Sequence, residues 1–381
     1  MTRVLELLVS LLIVAALVVI VGVLLPSQGH IERSIEVSSP LRQIYDSVNT
    51  LRRFPEWSPE RRLDPMLQME YAGPRTGVGA KVKYSGNESV GDGSLTIVSS
   101  DEDSQVKMDV ENNFVGENKT YTITLNPSES GKTTRIVWAY DVDYGWNLLW
   151  RYAGLYIHGK PDATIQTAVG NMSNMLATFP NVDYKDQPIE LVEVTGVPVL
   201  VVSTKAPRTL DEVEEATLQA VTKIEAVMAK AGLNKAGPVR TITSNWGDDN
   251  YAFDVAIPVD SATITLDDQT YTVTAPVISE TTDMSLTEKP PEVQVGDIDA
   301  DGYMVLGDGV RATVSYTGLA LTTEYTGSPA ALPLLRLQEK AYAETHGYLY
   351  SEMNGGRFWD EVIATDEEGV STFKVYLPVE P

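Results

Sequence analysis

The densest set of potential ligand atoms in the chain is Asp297-Ile298-Asp299-Ala300-Asp301-Gly302, followed by Asp308. Carboxylates at alternate positions, a glycine at the turn and an acidic residue closing the loop are how a short segment surrounds calcium with hard oxygen ligands. The closing residue is Asp where calcium loops usually carry Glu. Val293-Gln294-Val295 before the loop and Arg311 to Tyr316 after it read as strands, so no helix–loop–helix pair is expected. The two readings left are an isolated calcium loop and an acidic turn. Ser130-Gly131-Lys132-Thr133 ends like a phosphate-binding loop, but Asn126 stands where the first glycine is needed and the segment lies in a hairpin turn. The three histidines, His30, His158 and His346, have no metal-ligand spacing and no nucleophile partner, and cysteine is absent. Neither Gly-x-Ser-x-Gly nor His-Glu-x-x-His occurs. No residue pattern demands an enzyme or a cofactor, calcium in the Asp297–Asp308 segment being the one exception to test.

What remains for chemistry is apolar and aromatic surface, beginning at the N-terminus. Leu7 to Leu25 reads LLVSLLIVAALVVIVGVLL, broken only by Ser10 and Gly22, long enough to cross a hydrocarbon core of roughly 30 Å as a helix. A cleaved signal peptide has a shorter apolar region and small residues at its cleavage site, whereas this run ends in Leu25-Pro26-Ser27. The expectation is an uncleaved single-pass anchor over residues 4–25, with domain limits of 1–26. Arg3 before the helix and the acidic body after it favour a cytoplasmic N-terminus and an exported body.

Of the 381 residues, 43% are hydrophobic and 8% aromatic, which indicates packed cores and not disorder. Residues 26–186 carry 16 Lys and Arg against 21 Asp and Glu, and residues 187–381 carry 12 against 31. No basic patch or tail is present, so nucleic acid is not an expected partner. The strongly acidic second half suits a neutral or cationic small molecule.

In the first soluble region His30 to Val37 alternates as a strand. Ser39-Pro40 then opens a short helix carrying Leu41, Ile44, Tyr45 and Val48 on one face. Alternating runs at Leu67–Tyr71, Ala80–Tyr84, Gly93–Val98, Val106–Val110, Thr120–Leu125 and Thr134–Val142, separated by turns, predict an antiparallel meander. Ile165, Val169, Met172, Leu176 and Phe179 place one long amphipathic helix at the end. With IEVSSPLRQIYDSVNTLRRFPEWSP at its start, this region resembles the START-like, or SRPBCC, superfamily over residues 27–183. That resemblance implies a cavity between sheet and long helix that holds an apolar ligand. Trp57, Tyr84, Trp138, Tyr140, Trp150 and Tyr156 are the aromatics that either line such a cavity or fill the core.

The second region, residues 187–381, repeats itself: Ala252-Phe-Asp-Val-Ala-Ile-Pro-Val259 matches Thr372-Phe-Lys-Val-Tyr-Leu-Pro-Val379 at Phe, Val, Pro and Val. The order of elements upstream repeats too. Strand Val197–Thr204 leads to a helix with Thr209 and Glu212 as a capping box and Leu210, Val213, Thr217, Ala220, Ile224, Val227 and Ala231 as its apolar stripe, ending at Gly232. Strand Leu319–Tyr325 leads through Thr326-Gly327-Ser328-Pro329 to a helix ending near Gly347. The repeats cover about 190–260 and 305–381.

This arrangement, with Arg357-Phe358-Trp359-Asp360-Glu361-Val362, resembles the GyrI-like effector-binding domain. The resemblance implies that an acidic residue, here Glu361 beside Trp359, faces a groove between the two halves and contacts cationic or polar ligands. Tyr325, Tyr376 and Trp246 are the further aromatic candidates for that groove. Two positions depart from the family pattern: Gly-Pro-Tyr after the repeat's first strand is replaced by Thr326-Gly327-Ser328-Pro329, and the tyrosine after the groove glutamate by Val362 and Ile363. A carboxylate among aromatic faces would attract a cation by Coulomb and cation–π interaction.

The chain is therefore expected to be α+β: a transmembrane helix, a helix-grip START-like domain, and a duplicated strand–helix–strand–strand domain. The expected function is non-catalytic binding of an amphipathic or cationic small molecule at a membrane. The alternatives are an enzyme, either cyclase-like in the first cavity or a hydrolase using Glu361 as base, and an envelope lipid-handling or scaffold protein.

Overall fold

A computed structural model describes residues 2–247, 249–276, 293–350 and 357–381. It divides into two compact units, Met1–Lys185 with Glu344–Gly347, and Asp186–Ala343 with Tyr348–Pro381.

Helix α1, Thr2–Leu24, carries the apolar run, broken only by Ser10 and Gly22. Its Arg3–Leu24 stretch has a mean hydropathy of 3.3 with 6% of the window buried, so its apolar side chains face outward on all sides. At about 1.5 Å per residue it is roughly 34 Å long, enough to cross a membrane.

The rest of the first unit is a seven-stranded antiparallel sheet. Its strands are β1 (Gln28–Val37), β2 (Gln68–Ala72), β3 (Lys81–Ser85), β4 (Asp92–Asp101), β5 (Gln105–Glu111), β6 (Glu117–Pro127) and β7 (Thr134–Asp143), in the order β1-β7-β6-β5-β4-β3-β2. Five hairpins make the meander, and β1 closes beside β7 with Ile35 opposite Ile136. The period-two pattern is clear in β7, where Ile136, Trp138, Tyr140 and Val142 are buried and the residues between them are not. Onto that face pack α2 (Leu41–Asn49), α3 (Phe54–Trp57), α4 (Pro59–Leu63) and, after α5 (Leu148–Gly154), the long helix α6 (Lys160–Leu176). Ile165, Val169, Met172 and Leu176 of α6 are all buried, as their spacing requires. The N-cap of α2 is Pro40 without a side-chain bond, so Ser39 does not cap it.

The second unit is built on a nine-stranded sheet. Its elements are β8 (Glu190–Val194), β9 (Pro198–Pro207), α7 (Leu210–Ala231), β10 (Arg240–Trp246), β11 (Asn250–Pro258), a separate hairpin β12–β13 (Thr263–Leu266 and Gln269–Thr272), β14 (Met304–Gly307), β15 (Val310–Val314), β16 (Gly318–Gly327), α8 (Leu332–His346), β17 (Trp359–Thr365) and β18 (Ser371–Pro378). The strand order is β14-β15-β9-β11-β10-β17-β18-β16-β8. In each strand–helix–strand–strand segment the last strand lies in the middle, and the two segments meet where β10 pairs with β17. Inward residues Leu200, Val202, Phe253, Val255 and Ile257 pack with Ala220, Ile224, Val227 and Met228 of α7. Leu321, Phe373, Val375 and Leu377 do the same with Leu332, Leu335 and Ala343 of α8.

Two local expectations fail. Thr209 is the N-cap of α7 by position but makes no side-chain cap bond, so the capping box is not closed and the acidic first turn, Asp211 and Glu212, supports that end through the helix dipole alone. Val293–Val295 is not a strand; it leads into a turn held by the bond from Gly296 N to Val305 O. Gly232, at φ +65°, ends α7 in the left-handed conformation that glycine enters most cheaply.

In urea unfolding, Ile224→Ala is expected to lower stability by about 2–5 kcal/mol, as emptying a fully buried site does. Thr209→Ala should cost well under the roughly 1 kcal/mol of a working cap. A full cap-sized loss would show that the hydroxyl does bond the helix end.

Candidate functional site

Within the first unit the aromatic residues interlock and leave little space. Trp57 meets Trp138 edge-on at 5.3 Å, Tyr121 meets Trp138 at 5.3 Å and Tyr140 at 5.6 Å, and Phe54 sits between Trp57 and Tyr84 at 4.9 and 5.7 Å. The cavity among them, closed by Glu60 and by Ile165 and Ala168 of α6, is about 10 Å³, the scale of one water molecule and too small for an organic ligand. Trp57, Tyr84, Trp138 and Tyr140, expected along a ligand cavity, are thus core residues here. Trp150 packs at the edge of the same core, and Tyr156 is on the surface. Burial pushes the Glu60 carboxyl up, against the hydrogen bond from Ser58 Oγ at 2.5 Å. It likewise raises the phenols of Tyr84, Tyr121 and Tyr140.

In the second unit Glu361, Trp359 and Tyr376 come together on one face of β17 and β18, which their alternation and pairing require. Trp359 stacks on Tyr376 at 4.5 Å with 10° between planes, and Tyr316 lies 5.9 Å from Trp359. The carboxylate is not open to a ligand cation. Arg240 Nε lies 2.7 Å from Glu361 Oε1 as an ion pair without hydrogen-bond alignment, and Trp359 Nε1 donates to the same oxygen at 3.3 Å. Arg240 also donates to Ser315 Oγ at 3.0 Å. Burial, with Glu361 nearby, pushes the Tyr376 phenol up to about 12. Tyr325 is elsewhere, packed against the cluster of Leu321, Phe373 and Val375.

The acidic loop does not converge on an ion. Asp299 Oδ1 accepts from the backbone of Asp301 and Tyr303, Asp299 Oδ2 and Asp301 Oδ2 accept from Arg311 at 2.9 and 2.7 Å, Asp297 accepts from Gln294 N, and Asp308 faces Lys230 at 3.4 Å. No group of three or more metal-ligating side chains occurs among the described residues. The expected calcium spacing is met in sequence, but the carboxylates are turned toward the turn's own backbone and a neighbouring arginine.

The open cavity of this unit, about 350 Å³, lies between α8 and the end of β10. Its apolar wall is Trp246, Phe358, Pro333 and Leu337; its polar wall is Arg336, Lys340, Arg357 and the segment Thr243–Asn245. Trp246, one of the expected aromatics, stands on Tyr251 at 4.7 Å under the guanidinium of Arg208 at 4.3 Å. Arg357 donates to Ser244 Oγ at 2.7 Å and to Asp254 at 2.8 Å, and Lys340 Nζ lies 5.3 Å from the Phe358 ring.

Behind this wall α8 carries buried charge. Arg336 forks onto Asp360, through Nε at 3.3 Å and a second, shorter contact, and reaches Tyr251 Oη at 3.5 Å. Desolvation acts against its charge, but Asp360 and Tyr251 outweigh it, so Arg336 stays protonated. One turn along, Glu339 is fully buried and neither carboxyl oxygen has a hydrogen-bond partner. Burial first, then the nearby charge of Asp360, holds its pKa well above the carboxylate range, with Arg336 opposing. Arg336, Glu339 and Lys340 were not singled out from sequence, and Arg357 and Asp360 entered only as members of the motif Arg357–Val362. The one signal is that Arg336 and Glu339 fall on the face shared by Leu332, Leu335 and Ala343, where helical spacing calls for apolar residues.

No protein family matches the chain by its sequence pattern, and no curated protein matches it. Solved structures similar to part of it include helix-grip proteins of the SRPBCC type. One is a point mutant of Thalictrum flavum norcoclaurine synthase in complex with a transition-state analogue, 14% identical, covering 39% of this chain and 94% of that one with a TM-score of 0.32. A protein from Nitrosospira multiformis is 14% identical over 39% of this chain and 97% of that one, with a TM-score of 0.29. The C-terminal domain of EcmrR is 13% identical over 51% of this chain and 98% of that one, with a TM-score of 0.34. These are partial likenesses and say nothing of what this chain binds.

Arg336→Met is expected to destabilise the second unit by about 3–5 kcal/mol, because it strands Asp360 as an unpaired buried charge. Chemical denaturation of the full chain checks this. The raised pKa of Glu339 favours the fold while the group is protonated in both states. That contribution is lost as pH rises from the unfolded carboxyl's value, about 4.3, toward the folded one. Glu339→Leu should therefore raise the unfolding midpoint more at about pH 8 than at about pH 4. An equal gain at both would mean that the carboxyl is not held neutral.

Proposed function

We propose that the chain is a membrane-tethered, non-catalytic small-molecule-binding protein, and that its ligand is an amphipathic anion held in the cavity of the second unit. The observation that carries this is the composition of the wall: Trp246 and Phe358 offer flat apolar surface, while Arg336, Lys340 and Arg357 supply positive groups, and no acidic residue lines the space among the described residues. A volume of about 350 Å³ suits a one- or two-ring molecule. Asp360 and Asp254 hold two of the cations from behind, which fixes their orientation before a ligand arrives.

The expected preference for a cation rested on Glu361, and Arg240 neutralises that group. The unit's overall acidity does not oppose a small anion at close range, because distant charges are screened beyond about 8–10 Å. The mirrored order of the two strand–helix–strand–strand segments supports a GyrI-like, effector-binding reading of this unit. The first unit, its interior filled, serves in this reading as a rigid spacer behind α1. Arg3 before α1 supports a cytoplasmic N-terminus with both units exported.

Titration of the full chain in nanodiscs with naphthoate, followed by tryptophan fluorescence against empty nanodiscs, is expected to show saturable binding. Lys340→Gln and Trp246→Ala should each weaken it about tenfold, or roughly 1.4 kcal/mol. Equal binding of naphthylmethylammonium, or no effect of Lys340→Gln, would overturn the anionic assignment.

A further inference from the structure

The connection between β7 and α6 carries four of the six most exposed large apolar side chains of the first unit's body, the other two being Met66 and Val78. Trp146 is 82% exposed, Leu149 79%, Tyr156 77% and Leu155 59%. They are not scattered. All belong to the segment 144–157, which contains α5, and α5 packs directly on α1. Tyr152 Oη donates to Val18 O at 2.7 Å, and Arg151 Nη1 donates to Val23 O at 2.9 Å and Leu25 O at 3.2 Å. Gly22 permits the approach, since a Cβ there would lie 3.1 Å from Tyr152 and 3.3 Å from Leu148.

Position along α1 sets what surrounds this segment. From Val18 to Leu24 is about 9 Å of helix axis, and a helix of roughly 34 Å exceeds a hydrocarbon core of about 30 Å by only one turn. If α1 spans, α5 lies alongside its last two turns, at the boundary between acyl chains and headgroups. The chemistry fits that depth. Trp and Tyr are the residues that settle at membrane interfaces, with leucine below them. The carbonyls at the end of α1 have no partner within the helix and would be costly near hydrocarbon; the buried guanidinium of Arg151 satisfies two of them, at the negative end of the dipole. Arg151 also lies 5.2 Å from the Trp146 ring, which ties the exposed indole to the same anchor point.

We propose that residues 144–157 form an interfacial collar that inserts Trp146, Leu149, Leu155 and Tyr156 into the headgroup–acyl boundary beside α1, so that the first unit is docked on the bilayer and not merely tethered to it. The proposal rests on the anchor reading of α1, and its test separates the two. The chain has no cysteine, so Val14→Cys, Met66→Cys, Leu149→Cys and Tyr156→Cys each give one attachment point for an environment-sensitive fluorophore. All four side chains are exposed, and thermal melting matched to the parent confirms folding.

In phosphatidylcholine vesicles bearing a doxyl group near the headgroup, labels at positions 149 and 156 are expected to lose about half of their fluorescence, while the label at 66 is quenched only by aqueous iodide. Iodide quenching at 149 and 156 equal to that at 66, with position 14 still quenched by deep doxyl lipid, would overturn the collar and leave the anchor standing. Escape of position 14 from lipid quenching would remove the anchor and the collar with it.

Discussion

The second unit depends on one constraint, that a charge taken out of water must meet its partner. Asp254, Asp360 and Glu361 are all nearly inaccessible, and each has an arginine against it: Arg357, Arg336 and Arg240. These pairs connect β10, β11, α8 and the start of β17, the seam at which the two strand–helix–strand–strand segments join. Such pairs add little net stability over apolar replacements, but breaking one is expensive, so each arginine and its carboxylate must be kept or lost together. Glu339 is the exception. It has no hydrogen-bonding partner, and burial pushes its carboxyl pKa well up, which favours the neutral form.

The constraint also decides the polarity of the cavity wall. Glu361 read alone is an invitation to a cation; with Arg240 at 2.7 Å it is half of a neutral pair. Arg336 and Arg357, which line the cavity, have their carboxylate partners Asp360 and Asp254 behind its wall. A unit with far more acid than base thus has a cavity whose charged lining is basic among the described residues, because Asp254, Asp360 and Glu361 are each paired with an arginine.

In the first unit packing density plays the corresponding role. A helix on a curved sheet can enclose a ligand cavity, but here Phe54, Trp57, Tyr84, Tyr121, Trp138 and Tyr140 fill it edge to face. At its surface Arg151 and Tyr152 of α5 bond the end of α1, and the segment around α5 exposes Trp146, Leu149, Leu155 and Tyr156.

Much of the architecture is legible in the sequence because it is written in short periods. The apolar run gives α1; alternation gives β7; three- and four-residue spacing gives α6 and α7; and Phe-x-Val-x-x-Pro-Val marks β11 and β18 as equivalent. These patterns arise from geometry local to a helix or strand. The failures are just as instructive. Thr209 and Glu212 have the spacing of a capping box without its bond, and Asp297 to Asp308 have the spacing of a calcium loop while their carboxylates meet backbone, Arg311 and Lys230. The aromatics read as cavity lining differ from core aromatics only in how much space surrounds them, which no spacing records. Pairing is equally hidden: Arg357 finds Asp254 at a separation of 103 residues. The sequence by itself determined the elements and their inward faces, because those follow from the backbone's own periodicity. Only the tertiary structure decided which charges are cancelled and which space stays open, because both depend on atoms brought together from distant parts of the chain.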